Sequence, residues 1–526
     1  MLREQLKRIL REAAGLDAGA DFSLDAPPKP EYGDYATNLP ILLAKKKEKN
    51  PLAVAEELAK NIRHELIEGI SVVPPGFLNI HLADSARQAA INEVLEKKEF
   101  FGDGDKKSEK IQVEFISANP TGPLTLANGR GGFYGDVLSR VLESQGFEVE
   151  REYYINDAGN QVRMLGLSVL AAGGLTPGSE DYYHGEHIAS WAEAHHEALD
   201  ARKDDPETLG RMVAADFLAE FIKPAVEQKM KIHFQRWTSE RADIREKGYV
   251  DRALALFKER GLVVESDGAV WLTTTSFGDD KDRVLVTSDG LPTYFLVDAG
   301  HYVEAKERGF AKINILGADH HGYVSRIQAI AKIIGLSKSE VIVMQMVRLV
   351  EEGKETRMSK RKGVFVTIDD LIHEVGLDAV RYFFLEKNPE THIDFDIELA
   401  KKQSKENPVY YIQYAHARLC SIFKKGAVVP AQFEISALNS DSEKALIRKL
   451  IAFPEVLEDI AADYRVSRLV HYAYELAHAF HLFYEKNRIL DAEGEVKDAR
   501  MALAAAAQIV LKKTLDILGM EAPNEM

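Results

Sequence analysis

Residues 111–161 bring an apolar stretch, a Gly/Pro turn and a polar pair into one short run: Ile111, Val113 and Phe115, then Asn119-Pro120-Thr121-Gly122-Pro123, then Thr125-Leu126-Ala127-Asn128-Gly129. The alternation predicts a strand, and a helix is predicted from about Asn128 until Gly146 ends it. The unpaired N–H groups and positive dipole end of such a helix suit a phosphate, and open α/β sheets bind ligands beyond the carboxyl ends of their strands. The chemistry expected there is nucleotide binding. A second concentration of chemistry-bearing residues is Gly317-Ala318-Asp319-His320-His321-Gly322. Its histidines are adjacent, so their side chains diverge, and no further carboxylate or cysteine stands at ligand spacing; a metal site is not expected. A third is the basic run Arg357-Met358-Ser359-Lys360-Arg361-Lys362-Gly363, which follows a hairpin pattern through Glu351-Glu352-Gly353.

The elements that must position these residues are legible as alternation. Apolar strands Arg283–Thr287, Lys312–Leu316 and Val341–Met346 are interleaved with helices near Tyr294–Arg308 and Gly322–Ile334, a pattern that predicts a parallel, doubly wound sheet. Within it, residues from 162 to about 280 read as a mostly helical insertion carrying Trp191, Trp237 and Trp271, with no nucleophile or metal cluster. The spacing Thr367-x-x-Asp370 is a capping box, and continuous helical periodicity runs from there to the end of the chain. Before the linker-like Phe101–Lys110 lies an α+β unit with a strand at Phe77–His81. The expected division is therefore 1–104, 105–366 and 367–526.

The chain has 526 residues, 45% hydrophobic and 29% charged, which gives room for about three or four domains. No apolar run approaches the ~18 residues of a membrane span. The helical start Leu2–Ala13 carries Glu4 and Glu12 and lacks an early apolar block, so it is not read as a targeting peptide. One cysteine, Cys420, excludes a disulfide framework and a cysteine zinc site and fits a reducing, cytoplasmic setting. The net charge of −16 discourages indiscriminate binding of polyanions, while basic clusters at 45–47, 106–110, 357–362 and 401–405 leave room for local phosphate contacts.

Ala118-Asn119-Pro120-Thr121-Gly122-Pro123-Leu124, Gly129-Arg130-Gly131 and Tyr153–Gln161 resemble the signature region of bacterial arginyl-tRNA synthetases. Arg357-Met358-Ser359-Lys360 is similar to the Lys-Met-Ser-Lys signature of class I synthetases, and Tyr32–Asn38 to the family's N-terminal tRNA-contacting domain. Asn407–Arg418 and Tyr474–Tyr484 resemble its anticodon-binding bundle. The resemblance implies a Rossmann-like catalytic domain and attachment of L-arginine to tRNA(Arg) through an arginyl-adenylate, with ATP and Mg2+ as substrate and no structural metal. It also implies activation of arginine only with tRNA bound; from the small insertion no editing is expected, and a monomer is expected.

Carried over by position, Glu114, Asn119, Tyr294, Asp298 and His320 would form the arginine pocket, with Tyr294 and Asp298 one helical turn apart on one face. Thr125, Ala127, Asn128, Gly129, Asp319, Met358, Ser359 and Lys360 would contact ATP. Lys360, Asn128 and Thr125 would support catalysis, and Tyr410, Gln413, Tyr414 and Arg418 would touch tRNA. At the centre the chain departs from the family: Thr125-Leu126-Ala127-Asn128 stands in place of His-x-Gly-His. Exchanging charge-assisted phosphate donors for neutral ones costs about 1–2 kcal/mol each. That departure leaves an alternative open in the sequence, a synthetase-like protein that binds tRNA or arginine without catalysis.

Overall fold

The computed structural model describes residues 2–351, 354–355, 367–424 and 428–526, with the backbone alone at Pro30, His320, His321, Glu351, Lys354 and Glu355. The chain forms two compact units. One joins residues 1–104 to 403–463 and 468–526, and the other consists of 105–402 with 464–467.

In the first unit an antiparallel four-stranded sheet takes the order Leu24–Asp25, Tyr35–Thr37, Phe77–Leu82, Ile67–Val73. The Tyr32–Asn38 motif serves this sheet and its neighbours. Gly33 has φ +99°, and a Cβ there would meet the Ile80 carbonyl at 2.7 Å. The Asp34 carboxylate accepts from the Leu82 N–H at 2.8 Å and Arg87 at 3.0 Å. Tyr35 donates to Glu455 at 2.6 Å, and Arg3 reaches Glu458 and Asp459 at 2.6 and 2.7 Å, all on the long helix Asp441–Asp463. Burial pushes the Glu455 carboxyl up to about 7 despite Tyr35 and Arg3. The alanine-rich run Ala502–Ala507 is buried inside the Gly494–Leu518 helix, where small side chains permit close helix packing.

The second unit is built on the parallel sheet read from the alternation. Its order is Ser339–Met344, Phe310–Gly317, Lys110–Glu114, Glu148–Ile155, Arg236–Ser239, every neighbouring pair parallel. The chain leaves Lys110–Glu114 toward one edge and later returns on its other side as Phe310–Gly317. The topological switch point, where such sheets bind ligands, therefore lies between these two strands. The 162–280 stretch is helical through Pro206–Phe217 and then rejoins the sheet as Arg236–Ser239. Arg283–Val286 is the element that departs from expectation. It pairs antiparallel with Ala269–Leu272, which pairs with Val263–Ser266, in a separate three-stranded sheet. The reason is local: Asp267 and Gly268 both take positive φ, the geometry of a tight hairpin turn, so the preceding strands fold back on themselves. The helical stretch Leu371–Leu385 is also two helices, Ile368–Val375 and Leu377–Leu385, divided at Gly376 with φ +85°.

Candidate active site

Helix Leu126–Ser144 starts directly beyond the sheet's central strand, and its approach is set by glycines. A Cβ on Gly132 would meet Ile116 Cδ1 at 2.9 Å, and one on Gly135 would meet the Phe115 ring at 2.3 Å. The helix can therefore lie against the strand's exit only where side chains are missing. The connecting turn is held in a costly conformation, with Ile116 at φ +65° and Ser117 at φ +38°. Ser117 Oγ accepts from the Tyr154 N–H at 3.1 Å, and the Tyr153 hydroxyl donates to the Ala118 carbonyl at 3.0 Å. Asn156 donates to Asn119 Oδ1 at 2.9 Å, and His187 Nε2 lies 3.0 Å from the Thr121 carbonyl. Arg130 is buried and donates to the carbonyls of Gln345 and Asn388 at 2.6 and 3.0 Å, so it fastens the helix.

Thr125 is the N-cap, and with Asn128 it forms a complete capping box. The Asn128 N–H donates to Thr125 Oγ1 at 3.4 Å, the Thr125 N–H donates to Asn128 Oδ1 at 2.9 Å, and the Thr125 hydroxyl donates to the same Oδ1 at 2.8 Å. The Thr125 proton is thus directed inside the cap, and among the described residues the Asn128 Nδ2 protons keep no partner. Ala127 is exposed, and Gly129 is buried where a Cβ would meet Ile368 Cδ1 at 2.4 Å. Ile368 opens a second helix whose cap repeats the first: Thr367 and Asp370 form the same box. Thr367 bridges to Thr125, and the Ile368 N–H donates to the Leu124 carbonyl at 3.0 Å. Two helix N-termini therefore start side by side. Met358, Ser359 and Lys360 lie outside the described residues.

At the switch point, side chains of the three central strands and of helix Tyr294–Glu307 converge. Lys312 is wholly buried; its ammonium donates to Gln112 Oε1 at 2.7 Å and Glu152 Oε2 at 2.8 Å, and stands 3.0 Å from His301 Nε2 and 3.3 Å from Glu114 Oε2. Burial alone would lift the Glu152 carboxyl, but His301 and Lys312 hold it well below the usual range. Burial opposes the Lys312 charge, which Glu152 and Glu114 restore and raise. Asn314 donates to Glu114 at 2.6 Å and accepts from Tyr302 at 2.6 Å. Glu114, Glu152 and His301 offer ligand atoms within 4.8 Å of one another, but the Lys312 ammonium stands among them and supplies the positive charge a metal would bring.

Among the described residues Asp298 has no such cation of its own. Burial, reinforced by the Glu114 and Glu240 carboxylates and only partly offset by Lys312, pushes its carboxyl up to about 8. Burial also raises Glu240, which pairs with Arg245 at 2.7 Å. The Tyr294 ring, half exposed one turn before Asp298, has its hydroxyl 3.4 Å from the position of a Cβ on Gly159. The result is a half-buried acid beside two further carboxylates, walled by an aromatic ring. Such a pocket favours a cation, and one with several donors suits its acceptors. Of the expected arginine-pocket residues, Glu114 and Asp298 are brought together, Tyr294 flanks them, and Asn119 lies on the adjoining turn. Asp319 is exposed in the turn Ala318–Tyr323 after strand Phe310–Gly317; the His320 side chain lies outside the described residues.

The sequence reading missed Glu240, Glu152, Tyr154 and Lys312, and left His301 without a role. Glu152 and Tyr154 carry a signal in hindsight, since i, i+2 on a strand share a face. Glu240 had none, because it opens the helical turn Glu240–Arg245 just after a strand that was hidden inside the helical stretch. In the other unit, Tyr410, Tyr414 and Arg418 form a ladder on helix Pro408–Lys424: the tyrosine rings stack at 6.0 Å, and Arg418 lies over Tyr414 at 4.7 Å and Tyr484 at 4.5 Å. Gln413 donates to the Glu521 carbonyl at 3.0 Å.

Three family models match the chain: an arginyl tRNA synthetase N-terminal domain over residues 1–82, a class I (R) tRNA synthetase catalytic domain over 178–417, and a DALR anticodon binding domain over 412–526. The chain is 41% identical over 556 residues to an arginine--tRNA ligase of Bacillus velezensis, and 40% identical over 558 residues to one of Bacillus subtilis, with 100% of both chains covered in each case. Its fold is similar to that of the Thermus thermophilus arginyl-tRNA synthetase, with TM-score 0.81 and 24% identity over 100% of both chains.

Proposed function

The chain belongs to the arginyl-tRNA synthetases, class I aminoacyl-tRNA ligases that use ATP, and from that premise we propose how its residues attach arginine to tRNA(Arg). The observation that carries the assignment is the acid at Asp298, held without a cation of its own beside Glu114 and Glu240. A guanidinium is always charged and presents five donors in a planar fork, which is the ligand such acceptors select. Glu114 and Asp298 take the arginine, Tyr294 packs its stem, and Asn119 and His320 orient its head group.

The arginine carboxylate attacks the α-phosphorus of ATP and pyrophosphate leaves; a ribose hydroxyl at the tRNA end then attacks the acyl carbon and AMP leaves. ATP, accompanied by Mg2+, lies over the adjoining helix N-termini, contacted by Ala127, Gly129, Asp319, Met358 and Ser359. Asn128 donates from Nδ2 to its phosphates, while Thr125 acts by holding Asn128 in the cap. Lys360 neutralises the charge that develops as pyrophosphate leaves, the role in which a preorganised cation contributes most. In the other unit residues 1–104 contact tRNA, and Tyr410, Tyr414 and Arg418 offer stacking faces to anticodon bases, with Gln413 beside them. The enzyme acts as a cytoplasmic monomer; among the described residues no helix is long and apolar enough to cross a membrane.

The test is charging of tRNA(Arg) by the unmodified chain beside Lys360→Ala and Asn128→Ala. Charging by the first and a fall of about 10²-fold or more in kcat for Lys360→Ala are expected. Failure of the unmodified chain to charge would instead favour the non-catalytic reading raised by the missing histidines.

A further inference from the structure

Tyr154 stands at the end of strand Glu148–Ile155 and faces the same side as Glu152, toward helix Tyr294–Glu307. Its ring stacks on His301 at 4.4 Å with an interplanar angle of 26° and packs in the apolar cluster with Leu296 and Val297. The residue is only 6% exposed, yet its hydroxyl is a buried polar atom with no hydrogen-bond partner among the described residues. Its neighbours with tyrosine hydroxyls do not share that condition: Tyr153 is bonded to Ala118, and Tyr302 to Asn314. Burial, with the carboxylates of Glu240, Asp298, Glu114 and Glu152 adding to it, keeps the phenol protonated well above its usual range. The unpartnered hydroxyl therefore sits among the carboxylates that form the pocket.

A buried hydroxyl left without a partner costs free energy, and a phenylalanine would fill the same space without that cost. Its oxygen is an acceptor, and the pocket's ligand brings five donors to a site where Glu114 already accepts from Asn314 at 2.6 Å and lies 3.3 Å from the Lys312 ammonium. We infer that Tyr154 is a substrate-binding residue whose phenol oxygen accepts a hydrogen bond from the guanidinium of bound arginine. The inference rests on the arginine pocket proposed above. The ring holds the hydroxyl rigidly between His301 and the Leu296–Val297 packing, so the acceptor is set in place before the ligand arrives.

The experiment is Tyr154→Phe in the full chain, measured by charging of tRNA(Arg) with arginine and ATP varied separately, and by thermal unfolding without substrate. Expected are an arginine KM raised by about 10-fold or more, as for loss of a bond to a charged donor, an ATP KM within twofold of the unmodified enzyme, and a Tm equal or higher. An arginine KM within twofold of the unmodified enzyme would overturn the inference. So would a parallel rise of both KM values with a lowered Tm, which marks a structural hydroxyl. Failure of the unmodified chain to charge arginine is a different result and sinks the pocket itself.

Discussion

In the arginine pocket proposed above, the state of Asp298 makes arginine binding a proton-releasing event. Its carboxyl titrates near 8 because it is buried and faces Glu114 and Glu240, with Lys312 the one nearby cation that offsets them. The groups packed around it are Glu114 and Lys312 from the sheet, Glu240 from the segment after Arg236–Ser239, and His301 and Tyr294 from its own helix. Arginine binds the ionised form, so a proton must leave whenever the acid is protonated. With a titration midpoint of about 8, apparent affinity is about 10-fold below its limit at pH 7 and about 100-fold below it at pH 6. Between pH 8 and pH 6 the affinity should therefore fall about 50-fold, nearly tenfold per unit at the acid end. The same shift makes the free protein gain stability as pH falls from about 8 toward the ordinary carboxyl range, since the folded state then binds the extra proton. Arginine reverses that trend. Calorimetric titration of arginine in two buffers of different protonation enthalpy reads both quantities, the affinity and the proton released, which should be about 0.9 per site at pH 7. Asp298→Asn should bind arginine weakly and without this slope. Affinity constant within twofold from pH 6 to pH 8, or a slope that survives in Asp298→Asn, would refute the reasoning.

Three further outcomes follow from the same structure. Asn128→Asp should keep the helix cap, because Thr367 already forms that box with Asp370, yet turn a carboxylate toward the phosphates; unchanged Tm with pyrophosphate exchange reduced about 10²-fold is expected from replacing a neutral donor by a negative charge at a phosphate site. Gly135→Ala places a Cβ 2.3 Å from the Phe115 ring, so thermal unfolding should show a loss of about 1–3 kcal/mol for overpacking, relieved in part by Phe115→Leu. Glu455→Gln should raise Tm at pH 8 and change it far less at pH 5, since a buried carboxyl held near 7 against an ordinary 4.5 destabilises the folded state by about 3 kcal/mol once ionised; the glutamine oxygen still accepts from Tyr35.

The parallel sheet was legible where its strands are apolar runs bounded by turn residues, as at Ile111–Phe115, Lys312–Leu316 and Val341–Met346, but not at Arg236–Ser239, whose Arg-Trp-Thr-Ser carries no such run; the capping box at Thr367 was legible because Ser/Thr-x-x-Asp/Glu is a local signal. Arg283–Val286 was misassigned for want of weight on Asp267-Gly268, a hairpin signal that needs only two residues. Thr125 and Asn128 were legible as polar residues at a helix N-terminus, but not the fact that the two bond each other. That depends on the Thr125 backbone taking φ −86° and ψ 172°, which residue type does not fix. The Lys312 cluster was invisible for a deeper reason. Its members, Gln112, Glu152, His301 and Lys312, come from four elements and are read individually as ordinary polar residues on strands or a helix. Only the register that sets Lys312 opposite Gln112, and Glu152 opposite Glu114, brings them together.

That register also explains why the pocket retains an unbalanced acid. Glu114 and Glu152 stand on adjacent strands and share one buried ammonium, Lys312; Glu240 is paired with Arg245. Glu152 also lies 3.7 Å from Arg236 Nε, so four carboxylates, counting Asp298, face three cations of lysine and arginine type, and the difference is concentrated on Asp298. A second buried lysine would neutralise it and would also remove the reason for a guanidinium to enter. A fully apolar site would remove the acceptors that tell a planar five-donor fork from a compact ammonium. Sharing one ammonium between two strand glutamates holds the floor of the pocket in place while leaving Asp298 short of a partner, so in the proposed pocket the substrate itself completes the charge balance. In the proposed pocket, specificity for arginine is in this sense built by withholding one cation from an otherwise compensated cluster.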